Sequence, residues 1–178
     1  NKPAYEYTKM GIARTFQIMK PLKNLTVLDN VIASSYYGTK PAKNAIEARE
    51  KALDILNFTG LYEKRHDLSK DMGTPDQKRL EMARALATNP EMLFLDENMA
   101  GLNPTETDEA IQLIRRINES GVTIFLIEHI MKAVVSLCED VIVLHHGEKI
   151  AVGTPEEVMN DPYVMEVYLG QKKEDAHA

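Results

Sequence analysis

Two short apolar runs on either side of a helical segment constrain the fold of this chain more than any other feature. The first run is Met92–Leu95 and the second is Val122–Ile127. The segment between them begins at Pro104, carries acids early and arginines late, and ends at Gly121, as helices do. Strands that alternate with helices are typical of βαβ units, so we predict an α/β fold with a mostly parallel sheet. Continuous apolar runs also predict strands that are buried on both faces.

The helix that precedes the first run has a clear start signal. Thr74 is predicted as its N-cap, Pro75 as its first helical residue and Gln77 as its third. Asn89-Pro90 then stops the helix. Its predicted buried stripe consists of Leu80, Ala83, Leu86 and Ala87.

Weaker patterns complete the predicted elements. The short runs Val141–Leu144 and Lys149–Val152 flank a turn at His146-Gly147, which predicts an antiparallel hairpin. The other predicted elements are a β-type run over Ile12–Gln17, a helix over Ala45–Leu56, a short helix that reaches Cys138, and short terminal helices over 155–169.

Composition excludes several classes of protein. The 178 residues carry a formal net charge of −6, which argues against a general nucleic-acid binder. Cys138 is the only cysteine, so an internal disulfide framework is excluded, and its apolar surroundings favour a packing role. No apolar run approaches the length needed to span a bilayer.

Polar side chains follow three of the predicted parallel strands, where ligands of such sheets bind. These residues are Gln17, the pair Asp96-Glu97 and the pair Glu128-His129. Asp96 could bind Mg²⁺, Glu97 could orient or deprotonate a water, and His129 could donate a hydrogen bond to developing charge. Acids at strand ends are also commonly no more than solvated. The residue types alone leave both interpretations open.

Taken together, an ordered series of motifs is more specific than any one of them. The chain resembles the ATP-binding subunits of ABC transporters, and most closely those that power branched-chain amino-acid import. The motifs that carry this resemblance are Arg14–Gln17, Gln77–Leu86, Met92–Glu97, Ala100–Pro104, Ile127–His129 and Gly147–Val158.

The resemblance implies ATP and Mg²⁺ as cofactors and a role for each strand-end residue. It implies that Gln17 is the Q-loop glutamine, which contacts Mg²⁺ or the attacking water. It implies that Asp96 is the Walker B aspartate that binds Mg²⁺, Glu97 the general base and His129 the switch histidine. Asn103 would belong to the D-loop, which communicates across a nucleotide-sandwich dimer.

The resemblance also implies a domain organisation as part of a P-loop NTPase core. Residues 1–17 would be a remnant of the core sheet, 18–90 a helical subdomain, 91–153 the rest of the core sheet, and 154–178 C-terminal helices and tail. Within the subdomain, residues 18–74 would dock on transmembrane permease subunits. A second ATPase subunit or a second copy of the chain would be a further partner, and nucleic acid would not. The implied location is cytoplasmic, peripheral on the inner face of the cell membrane through the permease subunits.

Two departures from the family pattern bear on activity. No G-x-x-x-x-G-K-[ST] phosphate loop is present in the 178 residues, so we expect that the N-terminal Walker A segment is missing and that this chain alone does not bind or hydrolyse ATP normally. The signature segment is degenerate, because Gly73 stands in place of its serine and Pro75, which has no N–H, in place of its glycine. Gly73 and Asp76 remain candidate nucleotide contacts.

Two functions from different classes therefore stay open. The first is the C-terminal part of an ABC-type ATPase subunit that energises import of branched-chain amino acids or related solutes. The second is a non-catalytic interaction module, truncated or engineered, that self-associates. A generic Mg²⁺-dependent phosphohydrolase is a third and weaker interpretation, since it rests on the acidic pair alone.

Overall fold

The computed structural model describes residues 2–16 and 20–169, which divide into two compact units. The first unit ends at Glu128 and the second begins at His129. The elements of the first unit are α1 (Ala4–Lys9), β1 (Ile12–Arg14), α2 (Val27–Ser35), α3 (Ala45–Thr59), α4 (Thr74–Ala87), β2 (Met92–Asp96), α5 (Pro104–Glu119) and β3 (Thr123–Ile127), with 3₁₀ turns at Tyr62–Lys64 and Ser69–Asp71. Those of the second are α6 (Met131–Leu137), β4 (Val141–His145), β5 (Glu148–Gly153), α7 (Pro155–Asn160) and α8 (Pro162–Leu169).

A three-stranded parallel sheet organises the first unit. The strand order is β1-β2-β3, so that β2 lies in the centre, with Arg14 opposite Phe94 and Phe94 opposite Phe125. Leu93 and Leu95 of β2 are fully buried. The predicted parallel α/β architecture is confirmed, although β1 ends at Arg14 and is shorter than the predicted run.

The prediction that β3 is buried on both faces is wrong. Phe125 and Ile127 are each 46% exposed, while Ile124 and Leu126, which alternate with them, are half-buried. In the described part of the chain β3 is an edge strand, and alternate side chains of a strand point to opposite faces of its sheet. The ring of Phe125 packs against the ring of Phe94, with a centroid distance of 4.9 Å.

An apolar cluster joins α2, α3 and α4. α3 extends three residues beyond its predicted end and stops at Gly60, whose φ of 77° is the left-handed conformation that glycine adopts at helix ends. The fully buried side chains of the cluster are Val27, Val31, Ala52, Leu56, Leu61, Leu80, Ala83 and Ala87. These helices lie within residues 18–90; the boundaries at 17, 90 and 153 stay predictions.

The start of α4 differs from its prediction by one residue. Gly73, not Thr74, is the N-cap, and Gly73 offers no side-chain cap. The reason is that the Gln77 backbone N–H donates to the Gly73 carbonyl at 3.0 Å, which brings Thr74 into the helix. The Gln77 side-chain amide instead donates to the Met72 carbonyl at 2.9 Å.

The second unit contains the predicted antiparallel hairpin. β4 pairs with β5 around a turn at His146 and Gly147, both of which have positive φ, as such turns require. A small cluster of Val143, Val158 and Val164 packs beneath the hairpin. Cys138 follows α6 directly, and burial raises the pKa of its thiol, in keeping with the predicted packing role. Over the described ranges no helix combines the length and apolar character that crossing a membrane needs.

We expect the α3 packing to dominate the stability of the helical cluster. Leu56→Ala removes a fully buried side chain and should lower the free energy of unfolding by about 2–5 kcal/mol. Urea unfolding measures this change. Ile46→Ala on the same helix is the control, because Ile46 is 72% exposed and its loss should change stability by no more than about 0.5 kcal/mol. Equal effects of the two substitutions would contradict the described packing.

Candidate functional site

Because the three strands of the sheet are parallel, their carboxyl ends meet at one edge. The pair Asp96-Glu97 lies at the end of β2, and Glu128 follows the end of β3. The structure therefore brings these acids to the same edge, as predicted. Gln17 lies outside the described residues.

Asp96 forms an ion pair across the sheet edge with Arg14. The Arg14 Nη2 and Asp96 Oδ2 atoms are 2.7 Å apart. Arg14 lies opposite Phe94 on β2, and Asp96 follows Phe94 by two residues. Because side chains two residues apart on a strand point to the same face, the side chains of Arg14 and Asp96 lie on the same face of the sheet. The Asp96 side chain is 21% exposed, so its carboxylate remains accessible to a ligand.

Glu97 has an unusual backbone conformation. Its φ is 46°, in the left-handed region that non-glycine residues rarely adopt and that is enriched at functional sites. Its N–H donates to the Ile127 carbonyl at 2.9 Å, and its own carbonyl accepts from the Ala100 N–H at 3.2 Å. Hydrogen bonds of both its backbone N–H and its carbonyl group thus fix the backbone that carries the Glu97 side chain.

A set of buried charged residues lies on α4 and was not predicted. Lys78 is only 6% exposed and Glu81 only 8%. Burial lowers the pKa of Lys78 and raises the pKa of Glu81, because both lose hydration of their charged forms. One Glu81 carboxylate oxygen accepts from the Phe16 N–H at 3.4 Å, and the other has no hydrogen-bond partner among the described residues.

The sequence pattern of these charged residues favours exposure and not the burial that the structure shows. Lys78, Glu81 and Arg84 recur every three residues on α4. That spacing is typical of a solvated, charged helix face. In the structure α4 contacts the helices α2 and α3 and also strand β1. The helix face that carries Lys78 and Glu81 is therefore buried and not exposed to water.

Glu128 is a further residue to which the sequence assigned no role. Its Oε1 atom accepts from the Met99 N–H at 2.9 Å. This hydrogen bond joins the end of β3 to the turn that follows β2. Its signal in the sequence is its position directly after an apolar strand, next to the predicted His129.

The predicted signature residues lie at the start of α4. Gly73 is the N-cap, and the carboxylate of Asp76 forms an ion pair with Lys64. Asn103 is the N-cap of α5, where its side chain accepts from the Glu106 N–H at 3.0 Å and Glu106 accepts from the Asn103 N–H at 2.9 Å. Asp76 and Asn103 thus already have structural partners, and nucleotide contacts by these three residues stay predictions.

His129 is exposed and opens the second unit. The hydrogen bond from His129 to developing charge stays a prediction.

The donor set at the sheet edge fits one kind of metal site. Within residues 2–16 and 20–169, no three His, Cys, Asp or Glu side chains are grouped to hold a metal ion. Mg²⁺ in phosphate-transfer sites needs only one or two carboxylates, since phosphates and waters complete its coordination. The accessible carboxylate of Asp96 could coordinate Mg²⁺ that is also bound to the phosphates of a ligand. Asp96 alone does not provide a complete metal site.

Sequence comparison identifies two family matches. The model of the family described as "ABC transporter" matches residues 2–100. The model described as "Branched-chain amino acid ATP-binding cassette transporter" matches residues 148–174.

Curated relatives match almost the whole chain. The high-affinity branched-chain amino acid transport ATP-binding protein LivG of Salmonella typhimurium is 37% identical over 182 residues, which cover 95% of this chain and 71% of LivG. The LivG protein of Escherichia coli is 36% identical with the same coverage. The lipopolysaccharide export system ATP-binding protein LptB of Acidithiobacillus ferridurans is 30% identical, covering 96% of this chain and 69% of LptB.

Solved structures share the fold. The ADP conformation of MJ1267, an ATP-binding cassette of an ABC transporter, superposes with a TM-score of 0.82 at 32% identity, covering 96% of this chain and 73% of MJ1267. The ATP-binding cassette MJ0796, solved as a dimer bound to ADP and Pi, gives a TM-score of 0.75 at 26% identity, covering 87% of this chain and 68% of MJ0796. These likenesses confirm the predicted fold class.

We predict that buried Glu81 makes stability depend on pH. Because burial raises its pKa in the folded state, the folded chain binds this proton more tightly than the unfolded chain. The stability of the wild type relative to Glu81→Gln should be greatest below the ordinary glutamate range and should fall as pH rises through the raised pKa. Urea unfolding of both proteins at a series of pH values measures this difference.

The control for this experiment is Glu50→Gln, which removes a carboxyl group from an exposed position on α3. Subtracting its pH dependence removes the general effect of net charge. A wild-type minus Glu81→Gln difference that parallels this control at every pH would contradict the burial of an ionisable carboxyl group at position 81.

Proposed function

Because this chain belongs to the ABC transporter family of ATP-binding proteins, we propose that it works in an ATP-binding subunit that energises import of branched-chain amino acids or related solutes. The observation that carries the proposal is the acidic pair Asp96-Glu97, held at the carboxyl end of the central strand β2. The family match over residues 148–174 and the LivG relatives support this class of solute.

Each site residue has one proposed task. Glu97 is the general base that takes a proton from the attacking water, and its fixed backbone directs its carboxyl group from the sheet edge. Asp96 and Gln17 would hold Mg²⁺, which when bound neutralises charge on the phosphates. His129 would donate a hydrogen bond to charge that develops during the reaction. Gly73, Asp76 and Asn103 would contact the nucleotide that is bound to a facing subunit.

The proposed partners follow from the same assignment. Residues 18–74, which include α2 and α3, would dock on transmembrane permease subunits. A second ATPase subunit or a second copy of this chain would complete the nucleotide site, and the dimeric MJ0796 structure supports such pairing. The subunit would lie on the cytoplasmic face of the cell membrane, held there by the permease.

We further propose that the polypeptide 1–178 by itself binds ATP weakly. Its 178 residues include no G-x-x-x-x-G-K-[ST] motif to cradle phosphates. The start of α4 also lacks one donor, because Pro75 has no N–H. A peptide N–H absent at a helix start cannot bond to a phosphate oxygen.

A second candidate function is a non-catalytic module that self-associates. The observation that favours it is the open face of the sheet, where Phe125 and Ile127 remain 46% exposed. Exposed apolar side chains on an edge strand are an uncommon feature of a monomer and favour association.

Calorimetry of the purified polypeptide 1–178 with ATP–Mg²⁺, combined with its mass in solution, tests these proposals. We expect no saturable binding at ATP concentrations up to about 1 mM. The Kd should therefore exceed about 1 mM, which corresponds to a binding free energy weaker than about −4 kcal/mol. Binding in the micromolar range would contradict the weak-binding proposal, and Asp96→Asn would then show whether the bound nucleotide depends on the sheet edge.

The mass measurement distinguishes the two candidate functions. A stable dimer without nucleotide, which Phe125→Ser converts to a monomer, would support the self-associating module. A monomer that becomes a dimer only with ATP-loaded partner subunits would support the transporter subunit.

A further inference from the structure

Lys78 is a buried cation in the second turn of α4. Lysine is almost never fully buried unless it is paired, because removing an ammonium group from water is costly. Lys78 is nevertheless only 6% exposed, whereas its neighbour Arg79 reaches the helix surface and forms an ion pair with Glu109. The cost of burying Lys78 must therefore be offset by contacts that its ammonium group makes inside the first unit.

Those contacts lie at the strand ends. The Lys78 Nζ atom is 3.5 Å from the backbone oxygen of Glu97, at the outer limit of a hydrogen bond. The carboxylates of Glu128, Glu81 and Glu97 stabilise the ammonium group electrostatically and oppose the lowering of its pKa by burial. One cation thus contacts the turn after β2, and carboxylates on α4, on that turn and at the end of β3 favour its charged form.

The turn that Lys78 contacts is itself built from strained backbone. Glu97 has a φ of 46°, and such conformations persist only where surrounding contacts impose them. The Glu97 carbonyl accepts from both Ala100 N–H and Lys78, while Met99 N–H is bonded to Glu128. Removing the ammonium group would take away the Lys78 contact with the Glu97 carbonyl.

We propose that Lys78 is a positioning residue that holds the backbone of Glu97, and with it the turn 97–100, so that the start of α4 and the general base move together. The proposal rests on the proposed function of Glu97. Gly73, the N-cap of α4, lies five residues before Lys78 on the same rigid helix. A displacement of α4 would therefore be transmitted to Glu97 through a single side chain.

Hydrogen exchange of the polypeptide 1–178 without nucleotide tests whether Lys78 holds the turn 97–100 in place. The amides of Glu97, Met99 and Ala100 are each hydrogen-bonded in the structure and should exchange slowly. In Lys78→Met we expect their exchange to accelerate by about 10-fold or more, with a smaller change at core amides of α2 and α3. Lys78→Arg, which keeps a cation and its donors, should restore most of the protection.

Lys70→Met is the matched control, since Lys70 is exposed in the 3₁₀ turn before α4. Its exchange at residues 97–100 should equal that of the wild type. Unchanged protection at these amides in Lys78→Met would overturn the proposal. Acceleration by the same factor across the whole first unit would overturn it as well, because it would show a general loss of stability.

If Lys78→Met does not fold, Lys78→Gln takes its place, because glutamine keeps a donor and removes the charge. The same criteria apply: acceleration confined to residues 97–100 supports the proposal, and either unchanged protection or uniform acceleration across the first unit overturns it.

A kinetic measurement tests the consequence for catalysis in the subunit assembled with its permease. Lys78→Met should lower kcat for ATP hydrolysis by about 10- to 100-fold, while KM stays within about twofold. A rise in KM with kcat unchanged would overturn the positioning role. Failure of the proposed function is distinguishable, since the wild-type subunit would then not hydrolyse ATP, whatever the hydrogen-exchange result.

Discussion

The pairing of β2 with strands on both of its sides is the constraint on which the rest of the first unit depends. Parallel hydrogen bonding to β1 and β3 fixes the register of β2, and its length then decides where Asp96 and Glu97 emerge. Burial of Leu93 and Leu95 prevents a shift of one residue, because such a shift would expose both side chains. The position of the acidic pair is therefore set by the core.

Charge burial links this sheet edge to the helical cluster. α4 contributes Leu80 to the apolar cluster and Lys78 and Glu81 to the region of the strand ends. Buried charges are weak contributors to stability, because desolvation consumes most of their attraction. We propose instead that Lys78 acts through geometry, because its contact with the Glu97 carbonyl favours one arrangement of α4 and the turn after β2.

Patterns that depend on local sequence were predictable, and those that depend on long-range packing were not. The helix after Asn103 and the hairpin at His146 were predicted because capping and turn chemistry act within a few residues. The exposure of Phe125 was not predicted, since an apolar run does not reveal whether its strand lies at an edge. The contacts of Lys78 and Glu128 were missed because their partners are distant in sequence. The spacing of Lys78 on α4 is typical of a solvated helix face, and acids at strand ends such as Glu128 are commonly solvated.

The most direct test is ATP-driven uptake of branched-chain amino acids by membrane vesicles that contain the proposed subunit with permease subunits. The account predicts that Glu97→Gln lowers the uptake rate by about 100-fold or more, while Glu91→Gln, at the exposed opposite end of the same strand, leaves it unchanged. Both variants should remain bound to the vesicles. Uptake that continues at the wild-type rate in Glu97→Gln would contradict the assignment of the sheet edge as the site of ATP hydrolysis.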